Sequence, residues 1–134
     1  MIPSQSTPIT VYAASDMTGE TVTRVVRGAS AQFASGHVTI KVLQHVTSVA
    51  QVIGFIEDQG DDQRPCAVFH TILDLRMRED LRLALQTRRI PSVDLLGSTA
   101  HVMASLLGEQ PQATPGLTID DGAEPLYFDL ADET

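Results

Sequence analysis

The residues best suited to chemistry lie in one short stretch, Ser15-Asp16-Met17-Thr18-Gly19-Glu20-Thr21, directly after an apolar run. If a helix opens at Thr18, Gly19 and Glu20, its free backbone N–H groups and its dipole favour an anion there. Gly19 lets the backbone approach a ligand, and the hydroxyls of Ser15, Thr18 and Thr21 add donors. The same residues also suit simple capping of the helix by Asp16 or Thr18, the commoner use of such side chains. The stretch is not a G-x-G-x-x-G and lacks the lysine of a P-loop.

A second tier of polar groups falls where strands should end. His70, Thr71, Asp94 and Gly97 are its main members, with His45, Thr47, Asp74 and Ser98 beside them. The four histidines form no HExxH and no close pair. His45 and His70 could join Asp16 or Asp94 as a metal set only if their strands end side by side, and hydrogen-bonded histidines are the default, so no metal is expected. Cys66 stands at the start of a strand and there is no G-x-S-x-G, so nucleophilic catalysis has little support and catalytic residues stay unassigned. Lys41 is the only lysine, and no G-x-x-x-x-G-K-[ST] occurs. These residues therefore cannot assemble a P-loop phosphotransfer site. The shortage also argues against a receiver domain, which needs a strand-end lysine among clustered acids. Arg76, Arg78, Arg82, Arg88 and Arg89 read first as a solvated helix face, and second as a docking surface for an acidic partner or for the chain's own acidic tail.

Alternating strands and helices must position these groups. Residues 8–14 are rich in strand formers, and Val22, Val25, Val26, Ala29 and Phe33 come next at helical spacing, with Ser35-Gly36 as a stop. Residues 37–46 alternate as a less buried strand. Thr47 or Ser48 caps a helix with the stripe Val49, Val52, Ile53 and Ile56, which ends in a solvated loop at 58–62. Residues 66–73 form an apolar run suited to a strand covered on both faces. A helix over 74–88 turns Met77, Leu81, Ala84 and Leu85 inward. Residues 90–96 read as a fourth strand with Pro91 at its start. A fourth helix after Gly97 carries Val102, Met103, Leu106 and Leu107 and stops at Gly108. Four such units predict an α/β fold: a parallel sheet of four or slightly more strands with helices on both faces, a Rossmann-like three-layer sandwich. Ligands would bind beyond the carboxyl ends of its strands.

The chain has 134 residues, 43% hydrophobic, enough for one domain with a core. Nine basic residues against seventeen acidic give a net charge of −8, which argues against nucleic-acid binding. Six of the acids lie in residues 120–134, leaving eleven acids against nine bases, a net of −2, for the rest. The pattern divides the chain into an α/β domain, 1–108, and an acidic arm or linker containing Pro and Gly, 109–134. A single cysteine excludes an intramolecular disulfide and a Cys-rich zinc site. No signal peptide, no membrane-spanning run and no internal repeat is visible. A soluble cytoplasmic domain is the expected class.

The string Ser15-Asp16-Met17-Thr18-Gly19-Glu20-Thr21 closely resembles the SDSTGET signature of the bacterial regulatory proteins of pyruvate, phosphate dikinase and phosphoenolpyruvate synthase. Ala29, Ala31, Gln32 and Phe33 match the family's next pattern, "a..aL.QF". Thr71-Ile72-Leu73 with Leu75-Arg76 and Leu81-Arg82 resembles its TLV segment and charged helix. Asp94-Leu95-Leu96-Gly97 matches its DLLG element. The stretch ending at Gly116 resembles the family's Pro-x-x-x-x-Gly region, and Tyr127-Phe128 resembles its YF pair. Met17 stands where the family prefers Ser, and Ser98 where it prefers Pro. The resemblance spans roughly residues 10–116.

The resemblance implies a bifunctional enzyme that phosphorylates a target threonine with ADP and removes the phosphate by phosphorolysis, releasing pyrophosphate. It implies ADP or ATP, phosphate or pyrophosphate as ligands, and pyruvate, phosphate dikinase or phosphoenolpyruvate synthase as partner, with a homodimer left open. The family's P-loop-like segment belongs to a C-terminal half. The chain therefore reads as the N-terminal domain of such a regulator, inactive alone. Two other readings stay open: a non-catalytic nucleotide- or phosphate-binding or protein-docking module, and a scaffold whose strand-end residues are structural.

Overall fold

In the computed structural model, residues 8–34, 36–59 and 64–113 are described. Four strands and four helices alternate: β1 (Ile9–Ser15), α1 (Glu20–Ser30), β2 (Val38–Leu43), α2 (Val49–Gln59), β3 (Cys66–Thr71), α3 (Leu75–Thr87), β4 (Ser92–Asp94) and α4 (Gly97–Leu107). The expected stop at Ser35, the loop residues 60–63 and the arm from 114 onward lie outside the described residues.

The strands form one parallel sheet in the order β2-β1-β3-β4. The chain leaves β1 for β2 on one side, then returns past β1 to β3 on the other. β1 and β3 are thus central neighbours whose connections diverge, and the crevice beyond their carboxyl ends is the topological switch point where such sheets bind ligands. Ser15 is in register with Thr71 at that end.

Two apolar layers sandwich the sheet. On one face Tyr12, Ala14 and Val68 pack with Val52 of α2 and Leu81 and Leu85 of α3, with Val46 and Ile72 closing the layer above. On the other, Val11 and Ala13 pack with Val22 and Val26 of α1. This accounts for β1, where every residue after Ile9 is buried, because period-two alternation feeds both cores at once. β2 is an edge strand with no fully buried residue, as its alternation predicts. The predicted cap of α2 forms as a reciprocal box: the Gln51 backbone N–H donates to Ser48 Oγ, while the Gln51 side-chain oxygen accepts from the Thr47 and Ser48 N–H groups.

Three expectations change. The apolar spacing of α1 runs on to Phe33, but the helix ends at Ser30 and Phe33 is 65% exposed beyond it. β4 is only three residues long, because it pairs with β3 alone, over Val68–His70. The stripe Val102, Met103, Leu106 and Leu107 is helical but exposed, and no residue of α4 is buried. Periodicity identifies a helix; it does not supply a surface to cover its apolar face.

Burial therefore separates two leucines on neighbouring helices. Leu81→Ala should cost about 2–5 kcal/mol, whereas Leu106→Ala, at a position 82% exposed, should stay within about 0.5 kcal/mol of the parent. Urea unfolding measures both. Equal losses would mean that α4 is packed as deeply as α3.

Candidate functional site

The β1–α1 turn is held from both sides. The backbone N–H groups of His45 and Val46, just beyond β2, donate to the carbonyls of Met17 and Ser15 at 2.8 and 2.9 Å. Toward β3, the Asp16 N–H reaches the Thr71 carbonyl at 3.4 Å. The Asp16 carboxylate accepts from the Leu73 N–H at 2.8 Å. Ser15 Oγ accepts from the Met17 N–H, tightening the turn from within.

These bonds show that Asp16 does not cap α1. Its carboxylate is spent on Leu73, and the N-cap of α1 is Gly19, which has no side chain to close the first turn. Gly19 adopts φ +86°, a left-handed conformation that costs an L-residue strain, and a Cβ there would sit 3.0 Å from Val42 Cγ1. Glycine brings the backbone of the turn down against β2. The first turn of α1 thus opens at the switch point, with Glu20 and Thr21 exposed beside the exposed Thr18 and Ser15 and Thr71 buried beneath. Free N–H groups at a positive helix end, flanked by hydroxyls, are suited to an anion.

The second-tier residues do not join this turn. His70 precedes Thr71, so its side chain lies on the opposite face, the one packed against α3. There a cavity of about 260 Å³ is lined on the sheet side by His70, Ser92 and Asp94, and on the helix side by Leu75, Arg78, Glu79 and Arg82. Asp94 Oδ1 accepts from the N–H groups of Leu96 and Gly97 at 3.1 and 2.7 Å, capping α4. Its Oδ2 pairs with Arg78 Nε at 3.5 Å. A Cβ on Gly97 would collide with that carboxylate, so the Asp-x-x-Gly spacing is a close-approach cap. His70 is 2% exposed, and its Nδ1 has no hydrogen-bond partner among the described residues. Burial holds its pKa below the ordinary imidazole value, the Asp94 carboxylate pulls it back up and the Arg78 guanidinium pushes it down.

His45 and His70 lie on strand ends separated by β1, so the metal set considered for them has no shared edge. Among the described residues no cluster of His, Cys, Asp and Glu could hold a metal ion, and no helix is long and apolar enough to cross a membrane. Arg78 departs from the solvated-face expectation for the arginine run: its side chain is 14% exposed and paired. Its phase with Leu81 and Leu85, three and seven residues on, was the available signal. Arg82 instead pairs locally with Glu79 on the surface, as expected.

Known proteins are similar to this chain. The family model for kinase/pyrophosphorylase matches residues 11–130. The chain belongs to the kinase/pyrophosphorylase family. A protein of Geotalea daltonii, provisionally named pyruvate, phosphate dikinase regulatory protein, is 33% identical across 91% of this chain and 52% of its own length. A similarly named protein of Rhodospirillum rubrum is 35% identical, over 90% of this chain and 46% of its own. One of Citrifermentans bemidjiense is 28% identical, over 85% and 42%. The chain spans about half the length of the curated relatives it matches. The family match includes the β1–α1 turn and both strand ends that hold it.

Half-buried Asp16 and buried His70 have distinct expected signatures. Asp16→Ala, which leaves the Leu73 N–H without its acceptor, should lower unfolding free energy by about 1–3 kcal/mol, and Asp16→Asn, which keeps an acceptor, should recover most of it. Equal losses for both would remove the hydrogen bond as the cause. For His70 the sign is set by its lowered folded-state pKa: the unfolded chain takes up the proton first, so stability is full above the ordinary value of 6.5 and falls as pH drops below it. The stability difference between the parent and His70→Gln should therefore shrink between about pH 7.5 and about pH 5. A constant difference in urea titrations would contradict a buried, neutral imidazole.

Proposed function

We propose that this chain is the N-terminal α/β domain of a regulator that phosphorylates a threonine of pyruvate, phosphate dikinase or phosphoenolpyruvate synthase. In the forward direction the threonine hydroxyl takes the terminal phosphoryl group of ADP, leaving AMP. In reverse, inorganic phosphate attacks the phosphothreonine and departs as pyrophosphate, restoring the hydroxyl. Family membership and the names of the relatives support this reading. So does the β1–α1 turn, where the backbone of Gly19, Glu20 and Thr21 and the hydroxyls of Thr18 and Thr21 would receive the phosphate portion of ADP or ATP, phosphate or pyrophosphate, with Asp16 and Ser15 holding the turn.

The observation that carries the reading is the open first turn of α1. Asp16, the carboxylate that would otherwise close it, is turned toward β3 and tethered there. Gly19 provides the close backbone approach that a phosphate needs. Thr18 and Thr21 are exposed and place hydroxyls beside it. In this reading the domain works in the cytoplasm, and residues 109–134 connect it to a catalytic half.

A second reading has its own support. The 134 residues contain no G-x-x-x-x-G-K-[ST], and the sole lysine, Lys41, lies within β2, where its ammonium donates to Gln59. On its own the domain would bind without catalysing. Differential scanning fluorimetry with ADP, ATP, phosphate and pyrophosphate tests the shared premise. At least one should raise the melting temperature of the chain, and Thr18→Ala combined with Gly19→Ala should abolish the shift. Binding that survives the double variant would remove the turn from consideration. The chain alone should transfer no phosphoryl group from ADP to either target enzyme; robust transfer by a pure preparation would refute the division of labour between the two halves.

A further inference from the structure

The cavity between α3 and β4 contains a set of donors that the fold leaves unused. Both carboxylates in its wall are spent. Asp94 Oδ1 caps α4 and Oδ2 pairs with Arg78. Glu79 takes two N–H groups of Arg82, whose third donor goes to Gln86. What remains is the outer fork of the Arg78 guanidinium and the hydroxyl of Ser92, with the His70 ring, 2% exposed, behind them in the wall. Both of these groups can donate.

We propose that this cavity binds a phosphate group, with Arg78 and Ser92 as its donors and the His70 ring in its wall. The site lies on the opposite face of the sheet from the β1–α1 turn and does not rest on any role for that turn. A planar guanidinium fork matches two oxygens of a phosphate, and a third oxygen remains for the hydroxyl. A single trapped water has too few acceptor sites for that set. The N-terminus of α4 reinforces the charge: a Cβ on Gly97 would stand 2.9 Å from Arg78 Nη1, so the positive helix end and the guanidinium are adjacent. The volume of about 260 Å³ accommodates the group. A neighbouring cavity of about 490 Å³ shares Leu75 and Arg78 with it, and Ala100 and Ala104 of α4 form part of its wall. An organic portion esterified to the phosphate would extend there.

The test is a titration of the isotope-labelled chain monitored by long-range ¹H–¹⁵N spectra of the His70 ring. Sulfate is the first probe, because its charge is constant across neutral pH; inorganic phosphate and phenyl phosphate are the second and third, with chloride at matched ionic strength as control. The His70 signals should move saturably with the three oxyanions and not with chloride. Arg78→Gln should weaken the response at least tenfold while leaving the Thr18 and Gly19 amide signals as in the parent, and Ser92→Ala should weaken it less. Tighter binding of phenyl phosphate than of inorganic phosphate would identify a phosphomonoester as the ligand; the opposite order would identify free phosphate. If the His70 signals of the parent do not move, or move equally with chloride, the proposal fails whether or not Arg78→Gln folds. It also fails if a folded Arg78→Gln responds like the parent.

Discussion

The hydrogen bond from the Leu73 N–H to the Asp16 carboxylate organises the carboxyl edge of this sheet. An aspartate three residues before a glycine N-cap could turn back onto its own helix, and by local chemistry alone it would. It reaches instead across the switch point to the chain leaving β3, 57 residues later. That choice ties two loops together through a charge-assisted contact, stronger than a neutral one. It also leaves the first turn of α1 to a residue without a side chain. Loop rigidity and an uncovered helix end are thus two results of one bond, and a candidate anion site needs both: donors that are free and donors that do not move.

The same logic recurs in altered form at the other strand pair. Asp94 does turn back onto the next helix, and Gly97 permits the approach. Because its first oxygen is committed to α4, the second is free to hold Arg78 against the edge of the sheet. This anchoring matters for α4, which buries none of its apolar stripe and is fixed at its N-terminal end rather than along its length. A helix held that way gets its position from a cap and an ion pair, interactions of a few kcal/mol at most, rather than from hydrophobic area.

Much of this was legible in the sequence, and what was not shares one cause. Strand and helix identity came from periodicity because burial imposes it: Val22 and Val26 on α1, and Leu81 and Leu85 on α3, recur at the four-residue spacing that one helix face requires. The parallel sheet came from alternation of elements, and the strand order came from the structure. The candidate turn was singled out by residue type, and the family was legible in the ordered motifs around Gly19 and Gly97. Partners distant in sequence were not legible. Nothing local says that Asp16 should bond Leu73 rather than cap α1, or that Arg78 of the five arginines should meet an aspartate on the neighbouring strand. Phe33 and Leu106 failed for the complementary reason. Their spacing fits a buried stripe, but whether such a stripe is covered depends on the rest of the surface, which a single periodic segment does not specify.

Thr71 and His70 bring the two halves of the edge together. Successive residues of one strand point to opposite faces, so the last pleat of β3 sends a hydroxyl beneath the β1–α1 turn and an imidazole into the cavity beside α3. The two places are separate in space and share a backbone. A change of pairing that shifted β3 by one residue would exchange these side chains between the two faces. The bonds that fix this register, from Leu73 to Asp16 on one side and from the Leu95 N–H to the His70 carbonyl on the other, flank the pair and oppose the slip. The polar edge therefore depends less on the choice of each side chain than on the register of one strand. That register is secured by Asp16, which leaves its own helix open, and by Leu95, which stands directly after the aspartate that closes its helix.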